Sequence, residues 1–541
     1  MPVRCGRSGS SHRMSGSSPL GVSTESAEDS AAVPGDVDAT RSPSAAGLTS
    51  TTVRGARWTL LAAFGTFVVQ IPYSAAVSRL LTPSDFGLVA LAMFMLRFVS
   101  YFAQGGLSSA VVQRPVLRER DIRASCAVGI TTGFAFYALF WIVAPFGVQA
   151  VHAPPELTPV CRALALSFLL SAVSATASGL LRRSMRYRTV SLIEFLSYLV
   201  GYCGFGLVSA VMGCGVWSLV YAALGQSALT ALTHCALTWR HLRPLFDVRA
   251  MAGMAAFGTK VSLVGFLEFL AFSADTVLVG RYAGVQALGH YNRAWFMAAL
   301  PLHQTAAALN KVLLPAFSRA QSDRDRLKGA YIDSMSVTAL LFAPMAATVA
   351  VCSDNAVEVL LGDAWQATAD LVPPLAVVGL LNVLAYLPAV LAEALGKVGQ
   401  KAVIELLHLI VLLTAAAAAV ASDTGVAGLA AALVAARILQ HAAYLVWLSR
   451  AIPGSMPEVL VAYAQSTAVA VFVASTAAAA GHVMRDQPPT VALGLQLATG
   501  SAAGASVLLF GRSLRGVRAA RGRALIQSAF GSRKHTAAER A

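Results

Sequence analysis

The sequence predicts an all-α integral membrane protein with about 14 transmembrane helices. Of its 541 residues, 56% are hydrophobic and only 12% are charged, about half the roughly 25% that is typical of a soluble domain. From about residue 57 onward, apolar runs follow one another, and each is long enough to cross about 30 Å of hydrocarbon as a helix. The Lys and Arg content also alternates between successive loops. Together these observations indicate a multi-pass membrane protein.

The first segment, residues 1–53, is predicted to be a disordered Ser-rich cytoplasmic tail. It contains little that could form a core, and it lacks the charged start and short apolar run of a signal peptide. Fourteen spans are predicted after it, at 57–80, 86–110, 124–147, 159–181, 190–211, 215–237, 258–280, 288–314, 330–352, 367–392, 402–421, 425–448, 459–481 and 489–510.

The orientation of these spans follows from the positions of Lys and Arg. With a cytoplasmic N-terminus, the inward loops hold 20 Lys and Arg residues, whereas the outward loops hold only Arg79, Arg162, Arg281 and Arg485. This asymmetry predicts that both termini are cytoplasmic. The net charge of +15 is therefore interpreted mainly as loop charge and not as a nucleic-acid-binding patch, so no nucleic-acid partner is expected.

An internal repeat is visible when the chain is compared with itself. The stretch RLLTPSDFG (79–87) begins at the end of the first span, and RYAGVQALG (281–289) begins at the end of the seventh. Glu194 of VSLIEFL similarly aligns with Glu405 of KAVIELL, near the starts of the fifth and eleventh spans. Both matches relate a span to the sixth span after it in the same orientation. They predict two six-helix lobes in parallel repeat, plus a C-terminal helix pair.

The predicted organisation is accordingly a series of membrane and cytoplasmic segments. It comprises a first lobe at 54–238, a basic cytoplasmic linker at 239–257, a second lobe at 258–450, the helix pair at 451–511 and a basic cytoplasmic tail at 512–541. Repeats of this kind place a transport site at the lobe interface, near the middle of the bilayer.

Several stretches resemble one family of membrane proteins, the bacterial polysaccharide or oligosaccharide flippases, which are the Wzx-like lipopolysaccharide biosynthesis branch of the MOP exporter superfamily. The similar stretches lie at 78–91, 105–114, 181–201, 275–294 and 360–381. The resemblance implies a two-lobed fold in the cell (inner) membrane. It further implies that alternating access carries an undecaprenyl-pyrophosphate-linked oligosaccharide between the leaflets. Membrane lipids, a polysaccharide polymerase and glycosyltransferases are the other expected partners.

Arg97 is the clearest candidate for substrate binding. It lies deep in the second span, where a charge costs roughly 2.5–3.5 kcal/mol on insertion scales and is usually kept for a cavity or a partner. A guanidinium also binds phosphate through paired planar donors. We therefore expect Arg97 to hold the pyrophosphate or an anionic sugar. A structural pair with a buried acid is the alternative.

Glu268 and Asp275 are candidates for coupling transport to an ion gradient. They are seven residues apart in the seventh span, which places both on one helix face. Protonation of either carboxylate, or Na⁺ binding to it, could drive the cycle. The alternative is that they are structural partners of Arg97, Arg281 or Arg293.

Three further arginines are predicted to receive the anionic head group as an outer ring, with interfacial snorkelling as the alternative for the first two. They are Arg79, Arg281 and Arg293. Pro72 removes a hydrogen bond inside the first span and is the predicted hinge.

No catalytic residue, metal site or cofactor is predicted, because the sequence contains no P-loop, HExxH, GxSxG, CxxC or dinucleotide fingerprint. The competing functions are a lipid II flippase or a multidrug exporter of the same superfamily. A membrane glycosyltransferase or polymerase fits less well, because the longest predicted outward loops, 148–158 and 353–366, are short and lack Lys and Arg.

Overall fold

The computed structural model describes residues 45–103, 119–246, 269–270 and 273–510, and the regular structure within these residues is helical throughout. Within the described residues, each predicted span except the seventh overlaps a helix or a run of consecutive helices. We number the helices by span. In the first half they are α1 (Ala45–Leu80), α2 (Pro83–Ala103), α3 (Glu119–Ala150), α4 (Leu157–Arg183), α5 (Tyr187–Val211) and α6 (Trp217–Thr238).

The second half continues with α7, whose described part is 273–282. The remaining helices are α8 (Gly284–Ala320), α9 (Arg324–Val351), α10 (Val372–Ala394), α11 (Val398–Ala421), α12 (Gly425–Ala451), α13 (Met456–Val483) and α14 (Pro489–Phe510). A short helix, Ser353–Leu360, lies between α9 and α10. Among the described residues, 10 helices are long and apolar enough to cross a membrane.

Local sequence explains where several helices begin and end. Asp323 precedes α9, and its carboxylate accepts a hydrogen bond from the Arg326 backbone N–H at 3.0 Å, which satisfies one of the free donors of the first turn. At the end of α10, Gly396 has a φ of +70°. This left-handed conformation lets the Lys397 N–H reach the Ala392 carbonyl at 2.8 Å and close the helix.

The π-helical segment Leu199–Gly206 interrupts α5. Such segments are uncommon and occur frequently at functional sites. This one carries Tyr202 and packs closely against α6. The hydropathy of the sequence predicted this span. It could not predict the change from α-helix to π-helix, because the two helix types can have the same apolar composition.

The predicted C-terminal helix pair packs against the second half of the chain. Helix α13 lies along α9, and α14 lies against both α13 and the short helix Ser353–Leu360. Lys328 and Glu458 form an ion pair of 3.3 Å between α9 and α13. Asn355 of the short helix donates to the Gln496 side chain in α14 at 2.9 Å.

The predicted lobes approach each other closely where α2 and α8 begin. A Cβ atom on Gly87 would overlap the Val285 carbonyl oxygen, and one on Gly289 would overlap the Pro83 carbonyl oxygen. The two glycines are the equivalent residues of the internal repeat, so each lobe contributes one of them to a reciprocal backbone contact. We call this region, which the predicted topology places outside the cytoplasm, the outer end.

Candidate functional site

A cavity of about 350 Å³ lies beneath the outer end, between helices of the two predicted lobes. The first lobe contributes residues of α1, α2, α5 and α6 to its wall, and the second contributes residues of α7 and α8. Three predicted site residues, Arg97, Asp275 and Arg293, line this central cavity. In the sequence, Arg97 is 178 residues from Asp275 and 196 residues from Arg293. Asp275 and Arg293 lie on the consecutive helices α7 and α8, and the fold brings all three residues to one cavity.

Arg293 sits in the wall of the cavity, held by neutral partners. Its guanidinium donates to the Ser74 hydroxyl at 2.8 Å and to the Asn292 side-chain oxygen at 3.3 Å. It also lies over the rings of Phe86 and Phe296, at 4.1 Å and 5.1 Å from their centroids. The buried Nε atom has no hydrogen-bond partner. Within the described residues no carboxylate pairs with Arg293, so its charge can be satisfied by an anionic ligand.

Arg97 is the second cation of the cavity and lies three turns further along α2 than Phe86. The separation of eleven residues places both on nearly the same helix face at 100° per residue. The side chain of Arg97 is exposed, and no ion pair joins it to a described carboxylate. The predicted alternative, a structural pair with a buried acid, therefore has no support among the described residues.

Three tyrosines line the wall of the cavity, and the sequence analysis did not single them out. Tyr198 and Tyr202 stack at 4.5 Å, and Tyr73 meets Tyr202 edge to face at 5.2 Å. The Tyr73 hydroxyl is buried without a hydrogen-bond partner. Phenol groups can both donate and accept hydrogen bonds, so this cluster offers contacts for phosphate oxygens or sugar hydroxyls.

Asp275 is the acidic group of the cavity and is buried. Its carboxylate accepts hydrogen bonds from the Tyr291 hydroxyl and, at 2.8 Å, from the Thr276 backbone N–H. Electrostatic attraction also joins it to the buried Arg437 of α12. Glu268, its predicted partner on the same face, lies outside the described residues.

Arg437 belongs to a buried polar network within the second lobe, the lobe that also contains Asp275. Its guanidinium donates to the Gln440 side-chain oxygen at 2.8 Å. Glu405 accepts from the Gln440 amide at 3.0 Å and from the Tyr444 hydroxyl at 2.8 Å. Arg437 therefore places a permanent positive charge near Asp275. This charge would compete with an external cation for the carboxylate.

Arg79 and Arg281 do not line the central cavity. Arg79 donates to the Val359 carbonyl at 2.6 Å, at the end of the short helix Ser353–Leu360. Arg281 donates to the Ala150 carbonyl, the last residue of α3. Each arginine thus crosses to the opposite lobe and binds a helix C-terminus, where carbonyl groups are free and cations are favoured. Their predicted contact with an anionic head group stays a prediction.

This pair of arginines should stabilise the closed outer end. Replacing both with glutamine is expected to increase hydrogen exchange of residues 83–90 and 284–292 by about 30-fold, because each charged hydrogen bond contributes about 1 kcal/mol at such an exposed site. Mass spectrometry of the purified protein would measure the change. Arg485→Gln is the matched control, an exposed arginine without a side-chain contact in the described residues. Equal exchange in wild type and double variant would contradict this role.

Comparison with protein families gives one match, over residues 76–370, to the family described as polysaccharide biosynthesis protein. Among individual relatives, the teichuronic acid biosynthesis protein TuaB of Bacillus subtilis (strain 168) is 22% identical over 339 residues, covering 62% of this chain and 70% of TuaB. The succinoglycan biosynthesis transport protein ExoT of Rhizobium meliloti (strain 1021) is 27% identical over 320 residues, covering 58% of this chain and 63% of ExoT. The chain thus spans slightly under two thirds of the ExoT sequence.

A third relative, the lipopolysaccharide biosynthesis protein WzxC of Escherichia coli (strain K12), is 21% identical over 337 residues, covering 61% of this chain and 67% of WzxC. The fold is similar to that of the lipid II flippase MurJ in an inward closed conformation, with a TM-score of 0.66 at 12% identity over 86% of this chain and 99% of MurJ. An inward-facing MATE multidrug transporter of the MOP superfamily gives a TM-score of 0.53 at 16% identity, over 77% and 98% of the two chains. These similarities confirm the predicted all-α membrane fold.

Proposed function

Because this chain belongs to the polysaccharide biosynthesis protein family, we propose that it is a flippase for an undecaprenyl-pyrophosphate-linked oligosaccharide. Alternating access of the two lobes would move the substrate from the inner to the outer leaflet of the cell membrane, with both termini in the cytoplasm. A polysaccharide polymerase and glycosyltransferases would be its partners. The observation that carries the proposal is a pair of arginines, Arg97 and Arg293, in one interlobe cavity without a described carboxylate partner.

The chemistry of the cavity suits a pyrophosphate head group. Two guanidinium groups from opposite lobes can bind the same dianion, and guanidinium binds phosphate through parallel N–H donors. The tyrosine cluster adds neutral hydrogen-bonding groups beside them. Because Arg97 lies on α2 and Arg293 on α8, a bound head group would contact both lobes and move as they rearrange.

The cavity also argues against a cationic drug as the main substrate. Its two arginines outnumber the one described acidic residue of the lining, Asp275, which already accepts hydrogen bonds from Tyr291 and Thr276. A positively charged ligand would therefore meet like charges in a region of low dielectric, where repulsion is strong.

A vesicle assay tests this function. The protein is reconstituted into vesicles that contain a fluorescent undecaprenyl-pyrophosphate-linked disaccharide, and dithionite quenches the label in the outer leaflet. Quenching of nearly all of the label is expected with protein, against about half in protein-free vesicles. No gain over protein-free vesicles would overturn the proposal. Faster movement of fluorescent lipid II, or efflux of ethidium, would favour the alternative transporters.

Coupling to an ion gradient is proposed to depend on Asp275 together with Glu268. Replacing Asp275 with Asn keeps an oxygen that can accept the Tyr291 hydrogen bond but removes the ionisable group. We expect an imposed H⁺ or Na⁺ gradient to accelerate transport several-fold in the wild type and to have no effect in this variant. The same gradient response in both proteins would show that coupling does not use Asp275, as expected if Arg437 supplies its permanent counter-charge.

A further inference from the structure

Phe86 occupies a position between the central cavity and the outer end. It lies in the first turn of α2, one residue before the glycine that contacts Val285, and its ring is 5% exposed. The ring contacts both a charged group in the cavity and an aromatic residue from the second lobe. Nothing in the predicted transport chemistry accounts for an aromatic ring at this place.

The cavity side of Phe86 faces a cation. The Arg293 guanidinium lies 4.1 Å from the ring centroid, within the range of a cation–π interaction, and burial strengthens such an attraction. The attraction depends on the net charge over the ring. When a phosphate group pairs with the guanidinium, the net charge falls and the attraction falls with it.

Phe86 also contacts Trp365 of the second lobe. The two rings are 5.2 Å apart in an edge-to-face arrangement. Trp365 is fully buried, and its indole N–H donates to the Ser78 carbonyl of α1 at 2.7 Å. Trp365 follows the short helix Ser353–Leu360, so these contacts join the second lobe to α1 and α2 of the first.

We infer that Phe86 is a positioning residue that couples anion binding at Arg293 to release of the outer end. With the cavity empty, the charge of Arg293 holds the ring in place against Trp365. An anion on Arg293 weakens that hold, and the contact with Trp365 loosens. This inference rests on the proposed function, because it requires a pyrophosphate ligand at Arg293, but it assigns a separate step to a ring that is not one of the proposed anion-binding groups.

Reciprocal coupling makes the inference testable through binding. If an anion favours the open outer end, then a mutation that loosens that end must tighten anion binding, by at most the ratio of the anion's affinities for the open and closed states. The dissociation constant of farnesyl pyrophosphate is measured by calorimetry for four proteins. They are the wild type, the double variant Arg79→Gln with Arg281→Gln, the single variant Phe86→Leu, and the combination of all three changes.

When Phe86 is present, the double variant Arg79→Gln with Arg281→Gln is expected to bind farnesyl pyrophosphate about fivefold or more tightly than the wild type. In the Phe86→Leu background the same change should alter binding less than about twofold. Equal factors in the two backgrounds would overturn the coupling while leaving the proposed function intact. A wild type that does not bind farnesyl pyrophosphate would overturn both.

Two further variants separate coupling from folding. Phe86→Tyr keeps the aromatic face. In this background, the Arg79 and Arg281 changes should again tighten farnesyl pyrophosphate binding by the full factor seen with phenylalanine. Trp365→Phe keeps a ring against Phe86 but loses the hydrogen bond to Ser78, and it should lower the factor. If the Phe86→Leu protein fails to fold, Trp365→Phe takes its place. The inference would also be overturned if the Arg79 and Arg281 changes tightened binding by the same factor in Trp365→Phe as in the wild type.

Discussion

Glutamine in place of Arg97 is expected to abolish transport of the lipid-linked oligosaccharide while the protein is still expressed and inserted. The side chain is exposed and forms no described ion pair, so its loss removes little from the folded state. A charged hydrogen bond to a phosphate group contributes about 1.5–3 kcal/mol, which corresponds to about 10- to 150-fold in head-group affinity. The vesicle assay, with expression followed by size-exclusion chromatography, measures both effects.

Arg97→Lys serves as the matched control because it keeps the charge but not the paired planar donors. We expect it to recover part of the transport rate. The equivalent change at Arg293 should also abolish transport, but with a lower thermal stability, because that guanidinium is held by Ser74, Asn292 and two rings. Normal transport by Arg97→Gln would contradict the proposed role of Arg97 in binding the head group.

Alanine at Gly289 is expected to open the outer end. The added Cβ atom would overlap the Pro83 carbonyl oxygen, and backbone atoms cannot turn aside as a flexible side chain can. Overpacking of this kind costs about 1–3 kcal/mol, so the closed arrangement should become about 5- to 150-fold less favourable. Alanine at Gly87 should have the same effect through Val285.

Spin labels on the two lobes would measure this opening. Cysteines at Glu156 and Asp354, both exposed near the outer end, replace the native residues in a background without other accessible cysteines. The distance distribution should shift to longer values in Gly289→Ala. Gly329→Ala is the control, since its Cβ would meet no atom within 4 Å. A distribution unchanged from the wild type in the Gly289 variant would show that the close contact does not hold the lobes together.

Most of the membrane architecture could be predicted because it depends on composition. A span needs about 20 apolar residues, and most of the loop Lys and Arg residues of this chain lie in the inward loops between its apolar runs. The same reasoning found Arg97, Asp275 and Arg293, since a charge inside such a run is costly and therefore conspicuous. Their meeting at one cavity follows from the parallel repeat, which places the starts of α2 and α8 side by side.

Other parts of the site have no comparable signal in the sequence. Tyr73 is 125 residues from Tyr198, and tyrosine is unremarkable in a membrane helix, so only the packing of α1 against α5 reveals the cluster. The binding of Arg79 and Arg281 to carbonyl groups was not predictable either, because every residue has a carbonyl. Phe86 resembles any apolar residue until the position of Arg293 is known.

The hydrogen bond between Asn355 and Gln496 connects the last two helices to the short helix Ser353–Leu360. The short helix that accepts the bond from Arg79 is fastened by Asn355 to α14, and Pro489 and Thr490 of α14 share a recess of about 550 Å³ with Arg79. Since α14 packs against α13, and α13 packs against α9, the helix pair links the short helix that binds Arg79 to α9 of the second lobe. Helices α13 and α14 therefore support the anchorage of Arg79 at the outer end.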